Sequence, residues 1–271
     1  MSNGIQMTEA EYSALDAIRA SSVKVASRST LAHLRHDLER EREDTDAFRV
    51  GRALHCAVLR PDEFAAEFAV APKFDRRTKA GKEQHEAATQ AAEGRTLLDA
   101  ADAHIVDAMR VSIESHPSAR AALEMCDLRE RVWVGTIAGE KCKCRADAVG
   151  GGLLLDLKTT VSASPHSFAR SCVEYGYHLQ FAFYAEIMQQ NGVDITDCMV
   201  IAVEKTAPYA VACYRLLDAD LARAFTVAER CVTRIAEAKR SNRWQGYADG
   251  VIDISLPPWA FGDASSEEVE R

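Results

Sequence analysis

The sequence lacks long apolar runs, a leader-like N-terminus and an excess of basic residues. No stretch reaches the roughly 18–20 uninterrupted apolar residues that a membrane-spanning helix needs. The opening residues, MSNGIQMTEAEYSAL, have neither the basic start nor the apolar core of a signal peptide. These absences argue against membrane insertion and export, and they favour a cytoplasmic location.

Basic residues are outnumbered, since 33 Lys and Arg face 41 Asp and Glu and the net charge is −8. This balance argues mildly against a nucleic-acid partner, because phosphate binding relies on Lys and Arg. Net charge is a sum over the whole molecule, however. A nucleic-acid enzyme of this composition must therefore concentrate its positive charge in one place.

The eight cysteines lie mostly in apolar stretches, such as Cys56 in ALHCAVL and Cys198 in DCMVIAV. This placement predicts buried, reduced thiols rather than disulfides. Cys142 and Cys144 form a C-x-C pair, but structural zinc sites usually show wider spacing and a second pair. Two strand residues that share one face are the better interpretation.

Patterning divides the chain into a helical first half and a mixed second half. Helices are predicted within residues 7–48, at 47–59 and at 84–113, with a polar, basic segment at 72–84. From about residue 129, short β-rich runs broken by glycine predict a meander of three strands. A helix (164–191), two strands (198–205 and 209–216) and a helix (218–240) follow. This order predicts an α/β domain with a central mixed sheet flanked by helices, after a helical N-terminal region.

The most informative stretch is Asp147-x₈-Asp156-Leu157-Lys158. Residues two apart on a strand share a face, so Asp156 and Lys158 should project together, and the glycine-rich turn at 150–152 should bring Asp147 beside them. Two carboxylates and an ammonium could bind a divalent cation and position a water molecule. An ordinary Asp–Lys ion pair at a sheet edge is the alternative, because the spacing alone is a weak motif.

Three further features add to this motif. Gln180 and Tyr184 lie four apart on a predicted helix and share a face, although an amphipathic helix would also look like this. His55 lies in an apolar helical stretch, where a hydrogen-bonded core histidine is the commoner case. A dense basic segment is either a solvated loop or a phosphate-binding patch; its residues are Arg76, Arg77, Lys79 and Lys82.

Together these motifs resemble the RecB-type branch of the PD-(D/E)XK nucleases, and specifically the RecE (exonuclease VIII) nuclease family. The resemblance rests on the runs GRALHCAVLRPDEFAAEFAVAPKFDRRTKAGKEQ, CKCRADAV, LDLKTT and YHLQFAFY, which occur in the family's order. It extends from about residue 8 to about residue 255. It implies a restriction-endonuclease-like core at 129–261 within a single nuclease domain, with a helical part at 1–128 and an acidic tail at 262–271.

The resemblance also implies an activity and the roles of the residues. The expected enzyme is a 5′→3′ exonuclease that acts on linear double-stranded DNA ends and leaves 3′ overhangs for a RecT-like annealing protein. A ring-shaped homo-oligomer is expected, with a tetramer favoured over a trimer. His55, Asp147, Asp156 and the Leu157 carbonyl would bind two Mg²⁺ ions, for which Mn²⁺ could substitute.

In the same scheme Lys158 would activate or position the attacking water, with Gln180 and Tyr184 in support. The family's acidic residue ahead of the first strand has no unambiguous match; Glu130 is the nearest candidate, and its role stays open. Two other functions remain, namely an endonuclease built on the same core and a DNA-binding module that has lost catalysis.

Overall fold

A mixed six-stranded sheet with helices on both faces forms the centre of the molecule. The structure is a computed structural model, and it describes residues 3–40, 45–75, 77–257 and 260. The helices are α1 (Glu9–Ala14), α2 (Ala20–Arg28), α3 (Leu31–Glu39), α4 (Asp46–Leu59), α5 (Phe64–Glu67), α6 (Lys79–Ala91), α7 (Ala100–Ser115), α8 (Pro117–Met125), α9 (Pro165–Glu174), α10 (Tyr177–Gln190) and α11 (Asp218–Ser241). The strands are β1 (Ile18–Arg19), β2 (Phe68–Ala71), β3 (Thr96–Asp99), β4 (Leu128–Ile137), β5 (Glu140–Gly150), β6 (Leu153–Thr160), β7 (Asp197–Glu204) and β8 (Val211–Arg215).

The strand order confirms the predicted mixed sheet. Strands follow one another as β1-β5-β6-β7-β8, and β4 also pairs with β5. The β4–β5, β5–β6 and β7–β8 pairs are antiparallel, whereas β6–β7 and β1–β5 are parallel. The parallel β6–β7 connection runs through α9 and α10, as such crossovers usually do.

Two apolar cores lie on opposite faces of this sheet. One is built from α2, α10 and α11, and it includes Leu154 of β6. The other is built from α4, α7 and α8, and it includes Leu155 and Leu157 of β6. Because successive strand residues point to opposite faces, a fully buried strand such as β6 has to be apolar on both sides. A polar residue in this strand is therefore costly unless it is paired.

Two tight hairpins fix the register of β4, β5 and β6. Ala138 and Gly139 join β4 to β5 with φ of 49° and 78°, while Gly151 and Gly152 join β5 to β6 with φ of 56° and 81°. Two-residue hairpin loops favour turns in which both central residues have positive φ, and glycine adopts these angles without strain. The glycines therefore set which residues of the three strands lie opposite one another.

The N-terminal region is less continuous than the sequence predicted. Residues 7–48 form α1, α2, α3 and the start of α4 with a short strand between, because Ile18 and Arg19 pair with Cys142 and Lys143 of β5. The predicted helix at 84–113 is interrupted by β3, which pairs in parallel with β2. Both strands depend on pairing with distant segments, which local periodicity does not reveal.

The predicted helix at 164–191 is also divided. Gly176, at φ of 63°, separates α9 from α10. The helix at 218–240 and the strands at 198–205 and 209–216 are confirmed within a few residues.

Six of the eight cysteines are buried, as predicted, while Cys172 and Cys213 are partly buried. All eight thiols are free, and Cys142 and Cys144 are both fully buried in the first core. Among the residues the structure describes, no helix combines the length and apolarity that crossing a membrane would require.

Candidate active site

Three acidic residues lie in one row across the three strands that the hairpins align. In the β4–β5 ladder, Glu130 lies opposite Asp147, between the pairs Arg129–Ala148 and Arg131–Ala146. In the β5–β6 ladder the last pair is Ala148 with Leu155, so Asp147 and Asp156 are the first residues beyond it, and the charge of Asp147 acts on Asp156. Opposite residues in adjacent strands have Cβ atoms about 5 Å apart. The fold therefore concentrates three carboxylates in one small region.

This row lies next to the point where the pairing of β5 with β6 ends. Strand β6 pairs with β5 only at residues 148–150, and β1 pairs with it at 142–143. Between these two ladders β5 pairs only with β4 among the described residues. Beyond the end of the β5–β6 ladder, the Asp147 side chain contacts β6 instead, since its Oδ2 accepts a 2.8 Å hydrogen bond from the Leu157 N–H.

His55 completes a cluster of potential metal ligands with two of the acids. It lies on α4, and its Nδ1 is 3.4 Å from Asp147 Oδ2. Ligand atoms of His55, Glu130 and Asp147 all lie within 4.8 Å of one another. The structure thus brings Glu130, whose role the sequence leaves open, into the same cluster as two of the predicted ligands.

Glu130 has an uncommon backbone conformation and a raised pKa. Its φ of 49° lies in the left-handed region, where residues other than glycine are uncommon and cost free energy. Burial, together with the charge of Asp147, raises the pKa of Glu130 to about 7, although His55, Arg145 and Arg60 act in the opposite direction. Such strain and such pKa shifts are typical of functional sites.

Asp156 and Lys158 project together, as their spacing predicted, and they form an ion pair. The Lys158 ammonium contacts Asp156 Oδ2, and Asp156 Oδ1 accepts a 2.7 Å hydrogen bond from Gln180 Nε2. Asp156 is only 3% exposed. Burial, with a contribution from the Asp147 charge, raises the pKa of Asp156. Burial disfavours the charged form of Lys158 too, but the carboxylates of Asp156 and Asp147 prevail and raise its pKa.

A second ammonium in the site was not predicted from the sequence. Lys24, on α2, donates a hydrogen bond to Gln180 Oε1, and its Nζ lies 5.3 Å from the centre of the Tyr177 ring. Lys158 Nζ lies at the same distance from this ring. Burial, reinforced by the charge of Lys158, lowers the pKa of Lys24 to about 8. The available signal was a lysine within the short apolar stretch of ASSVKVASR, which is weak by itself.

Comparison with known proteins identifies the family of this arrangement. The sequence profile of a family described as a PDDEXK-like domain of unknown function (DUF3799) matches residues 14–253. The chain belongs to this family. No curated protein matches the chain in sequence.

Two solved structures resemble this chain to different degrees. A crystal structure of a "putative exonuclease" from Eubacterium rectale has a TM-score of 0.65 at 16% identity, covering 96% of this chain and all of that one. A phage-related exonuclease from Haemophilus somnus covers 83% of this chain and 96% of that one, with a TM-score of 0.36 at 10% identity. At 16% identity the likeness to the first structure shows the fold alone. The likeness to the second structure is too weak to show a shared fold.

The donor atoms of this PD-(D/E)XK site fit a divalent cation. Hard cations prefer carboxylate oxygens, and imidazole nitrogen is a common ligand for the transition metals. Asp156 Oδ2 is buried, and its close partner among the described residues is the Lys158 ammonium. Carboxylates that are crowded together, buried and shifted to higher pKa are stabilised when a cation enters.

Two further predicted residues, Tyr184 and Leu157, lie beside the cluster. Tyr184 lies one turn beyond Gln180 and packs against the first core. Its burial, with smaller contributions that include Asp156 and Asp147, raises its pKa far above the usual range, so it is a neutral hydroxyl. The ligand role of the Leu157 carbonyl stays a prediction, and the N–H of the same residue donates a hydrogen bond to Asp147 Oδ2.

The basic segment is placed apart from these contacts. The side chains of Arg77 and Lys79 are each 92% exposed, and their ion pairs are local, with Asp75 and Glu83. Lys82 is exposed on α6. Arg76 lies outside the described residues. A role for these four residues in DNA binding stays a prediction.

Proposed function

We propose that this PD-(D/E)XK protein is a divalent-metal-dependent exodeoxyribonuclease that acts on the ends of linear double-stranded DNA. The observation that carries the proposal is the row of Glu130, Asp147 and Asp156, with Lys158 paired to the last of them and His55 to the second. The solved exonuclease of similar fold is consistent with it. Cleavage in the 5′→3′ direction, which leaves 3′ overhangs, is the polarity that the RecE-like motifs favour.

The residues that would hold the metal are His55, Glu130, Asp147 and Asp156. Bound Mg²⁺, or Mn²⁺ in its place, supplies charge stabilisation for the attacking and leaving oxygens of a phosphodiester. Four side chains leave coordination positions open, and Mg²⁺ usually fills such positions with water and substrate phosphate.

The chain's own residues orient the reacting groups around that position. Lys158 is held protonated by its carboxylate neighbours, so it can donate hydrogen bonds to a water molecule or to a phosphate oxygen. Gln180 fixes one oxygen of Asp156, and the Leu157 N–H fixes one oxygen of Asp147. Preorganised donors of this kind are a large source of transition-state stabilisation.

Assembly and partners follow from the same family resemblance. A homo-oligomeric ring, tetrameric or trimeric, would enclose the duplex and keep the enzyme on one strand. A RecT-like annealing protein would receive the single-stranded product in recombination.

A digestion experiment tests the proposal. Purified protein is incubated with end-labelled linear duplex and with covalently closed circular duplex of the same sequence, with and without Mg²⁺. We expect metal-dependent loss of the linear DNA from its 5′ ends and no loss of the circle. Cleavage of the circle would indicate an endonuclease, and no cleavage of either substrate by metal-bound protein would indicate a DNA-binding module.

A further inference from the structure

The ammonium group of Lys24 lies within the site, although α2, the helix that carries it, contains none of the sequence motifs. It lies on α2, more than 120 residues before Asp147 and Asp156 in the chain. It is partly buried, and its partner is the side-chain oxygen of Gln180. Lysine is seldom buried without a pairing or a function, so this contact requires an explanation.

The chemistry of the three groups allows one orientation of the Gln180 carboxamide. A lysine ammonium only donates hydrogen bonds, and an ionised carboxylate only accepts them. With Lys24 on one side and Asp156 on the other, the oxygen of Gln180 must face Lys24 and its nitrogen must face Asp156. The structure has this arrangement, with Gln180 Nε2 2.7 Å from Asp156 Oδ1.

The turn before α10 is shaped to admit Lys24. Gly176 is the N-cap residue of α10, and a Cβ added there would lie 3.0 Å from Cγ of Lys24 and 3.5 Å from its Cβ. A side chain at this position would press on the lysine stem, and the φ of 63° is itself unfavourable for other residues. The adjacent Tyr177 ring lies beside the ammoniums of both Lys24 and Lys158. Backbone and ring therefore fix the position of Lys24 from two sides.

We propose that Lys24 is a positioning residue, which holds the Gln180 oxygen so that the Gln180 nitrogen binds Asp156 Oδ1 and leaves Asp156 Oδ2 facing Lys158 and the metal position. The inference rests on the proposed function and adds a residue to its machinery. Without Lys24 the carboxamide can rotate, and Asp156 then loses its fixed orientation.

A kinetic test uses Lys24→Met, Lys24→Arg, Gln180→Leu and the double variant Lys24→Met/Gln180→Leu. Loss of a residue that orients a ligand typically costs about 10–100-fold in activity or metal affinity. We expect Lys24→Met to lower kcat by this factor with little change in KM for DNA, and Lys24→Arg, which still donates, to recover most of it. In the Gln180→Leu background the further loss should vanish, because the two residues act through one contact.

Lys143→Met is the matched control. Lys143 is also buried, at 3% exposure, but its ammonium donates to the backbone carbonyls of Tyr12 and Leu15. Its replacement should lower stability and leave kcat unchanged in the folded fraction. A rise in KM with unchanged kcat in Lys24→Met, or additive losses in the double variant, would overturn the positioning role; the first result would point to a direct phosphate contact instead.

A second measurement does not depend on catalysis. In metal-free protein, the side-chain amide resonances of Gln180 are assigned by their disappearance in Gln180→Leu. We expect slow solvent exchange in the unchanged chain and in Lys24→Arg, and fast exchange in Lys24→Met. Unchanged exchange in Lys24→Met would refute the contact. If the unchanged chain proves inactive on DNA, the proposed function fails, yet this measurement still decides whether Lys24 orients Gln180.

Discussion

Two groups of charged residues in this molecule differ in their burial and in the charges around them. The active-site cluster (His55, Glu130, Asp147, Asp156 and Lys158) is largely buried, and it brings like charges together. In the basic segment at 72–84 the side chains of Arg77, Lys79 and Lys82 are exposed, and the ion pairs of Arg77 and Lys79 are with acids at most four residues away. Exposed local pairs contribute about 0–1 kcal/mol each, whereas buried and crowded charges carry a real cost in stability.

The difference between the two groups distinguishes charged residues that a function requires from charged residues that an ordinary protein surface carries. A chain with net charge −8 has ordinary reasons to carry exposed, paired lysines and arginines. It has no structural reason to place three carboxylates close together, since burial, with the added charge of Asp147, raises the pKa of both Glu130 and Asp156. A bound cation would offset that cost, and so the cluster is where substitution should have its largest effects.

The largest expected effect comes from the buried ion pair. Lys158→Met and Asp156→Asn should each lower DNA cleavage by at least about 10²–10³-fold, because each removes a group that acts on the reacting phosphate or its metal. Single-turnover digestion of labelled duplex measures this loss, and circular dichroism verifies the fold. Lys239→Met, which removes an exposed pair with Asp16, is the control and should retain activity. Near-normal cleavage by either site variant would remove the distinction between the two groups of charges.

The metal prediction sharpens the same comparison. If Mg²⁺ binds the folded site and not the unfolded chain, as proposed, a concentration of 100 times Kd should stabilise the protein by about 2.7 kcal/mol. Asp147→Asn and His55→Ala should lose most of this gain in a thermal-unfolding series with increasing Mg²⁺. Arg77→Gln, in the basic segment, should keep it. An equal gain in all variants would place the metal elsewhere.

Much of this cluster could be predicted from the sequence, and the reasons differ by residue. Asp156 and Lys158 are two apart in a strand, so their shared face follows from the period of two. Glu130 could have been placed by counting back from the hairpin at Ala138 and Gly139, which sets it opposite Asp147.

Other features have no local signal. The left-handed φ of Glu130 is imposed by the assembled site, and the pairing of Lys24 with Gln180 joins residues that are 156 apart in the chain. Strands β1, β2 and β3 were missed for the same reason, since each has two to four residues and forms only against a distant partner.

A smaller effect concerns stability in the absence of metal. Glu130 has a folded-state pKa of about 7, above the 4.5 of an unperturbed glutamate. The folded protein therefore retains a proton that the unfolded chain releases between these values, so the free energy of unfolding should fall as pH rises from 4.5 to 7. Glu130→Gln should remove about 1–3 kcal/mol of this fall. Denaturant titrations at several pH values, with chelator present, measure the difference; parallel curves for the two proteins would show that the carboxyl of Glu130 does not carry the raised pKa.

The smallest effect is expected from the basic segment. Replacing Arg77, Lys79 and Lys82 with glutamine should weaken DNA binding in every sequence context. The salt dependence of binding should also fall, by about one unit of slope for each phosphate that the protein no longer neutralises. Fluorescence anisotropy at several salt concentrations measures the slope. An unchanged slope would assign the segment to the solvated surface and leave the DNA-binding charge to other residues.

The most direct test of the central claim is the position of a bound metal. A crystal soaked in Mn²⁺ and measured at an anomalous wavelength should show density between His55, Glu130, Asp147 and Asp156, within coordination distance of their oxygen and nitrogen atoms. A crystal of Asp156→Asn treated in the same way should show weaker density or none. Full occupancy at another location, with this cluster empty in the unchanged chain, would contradict the account.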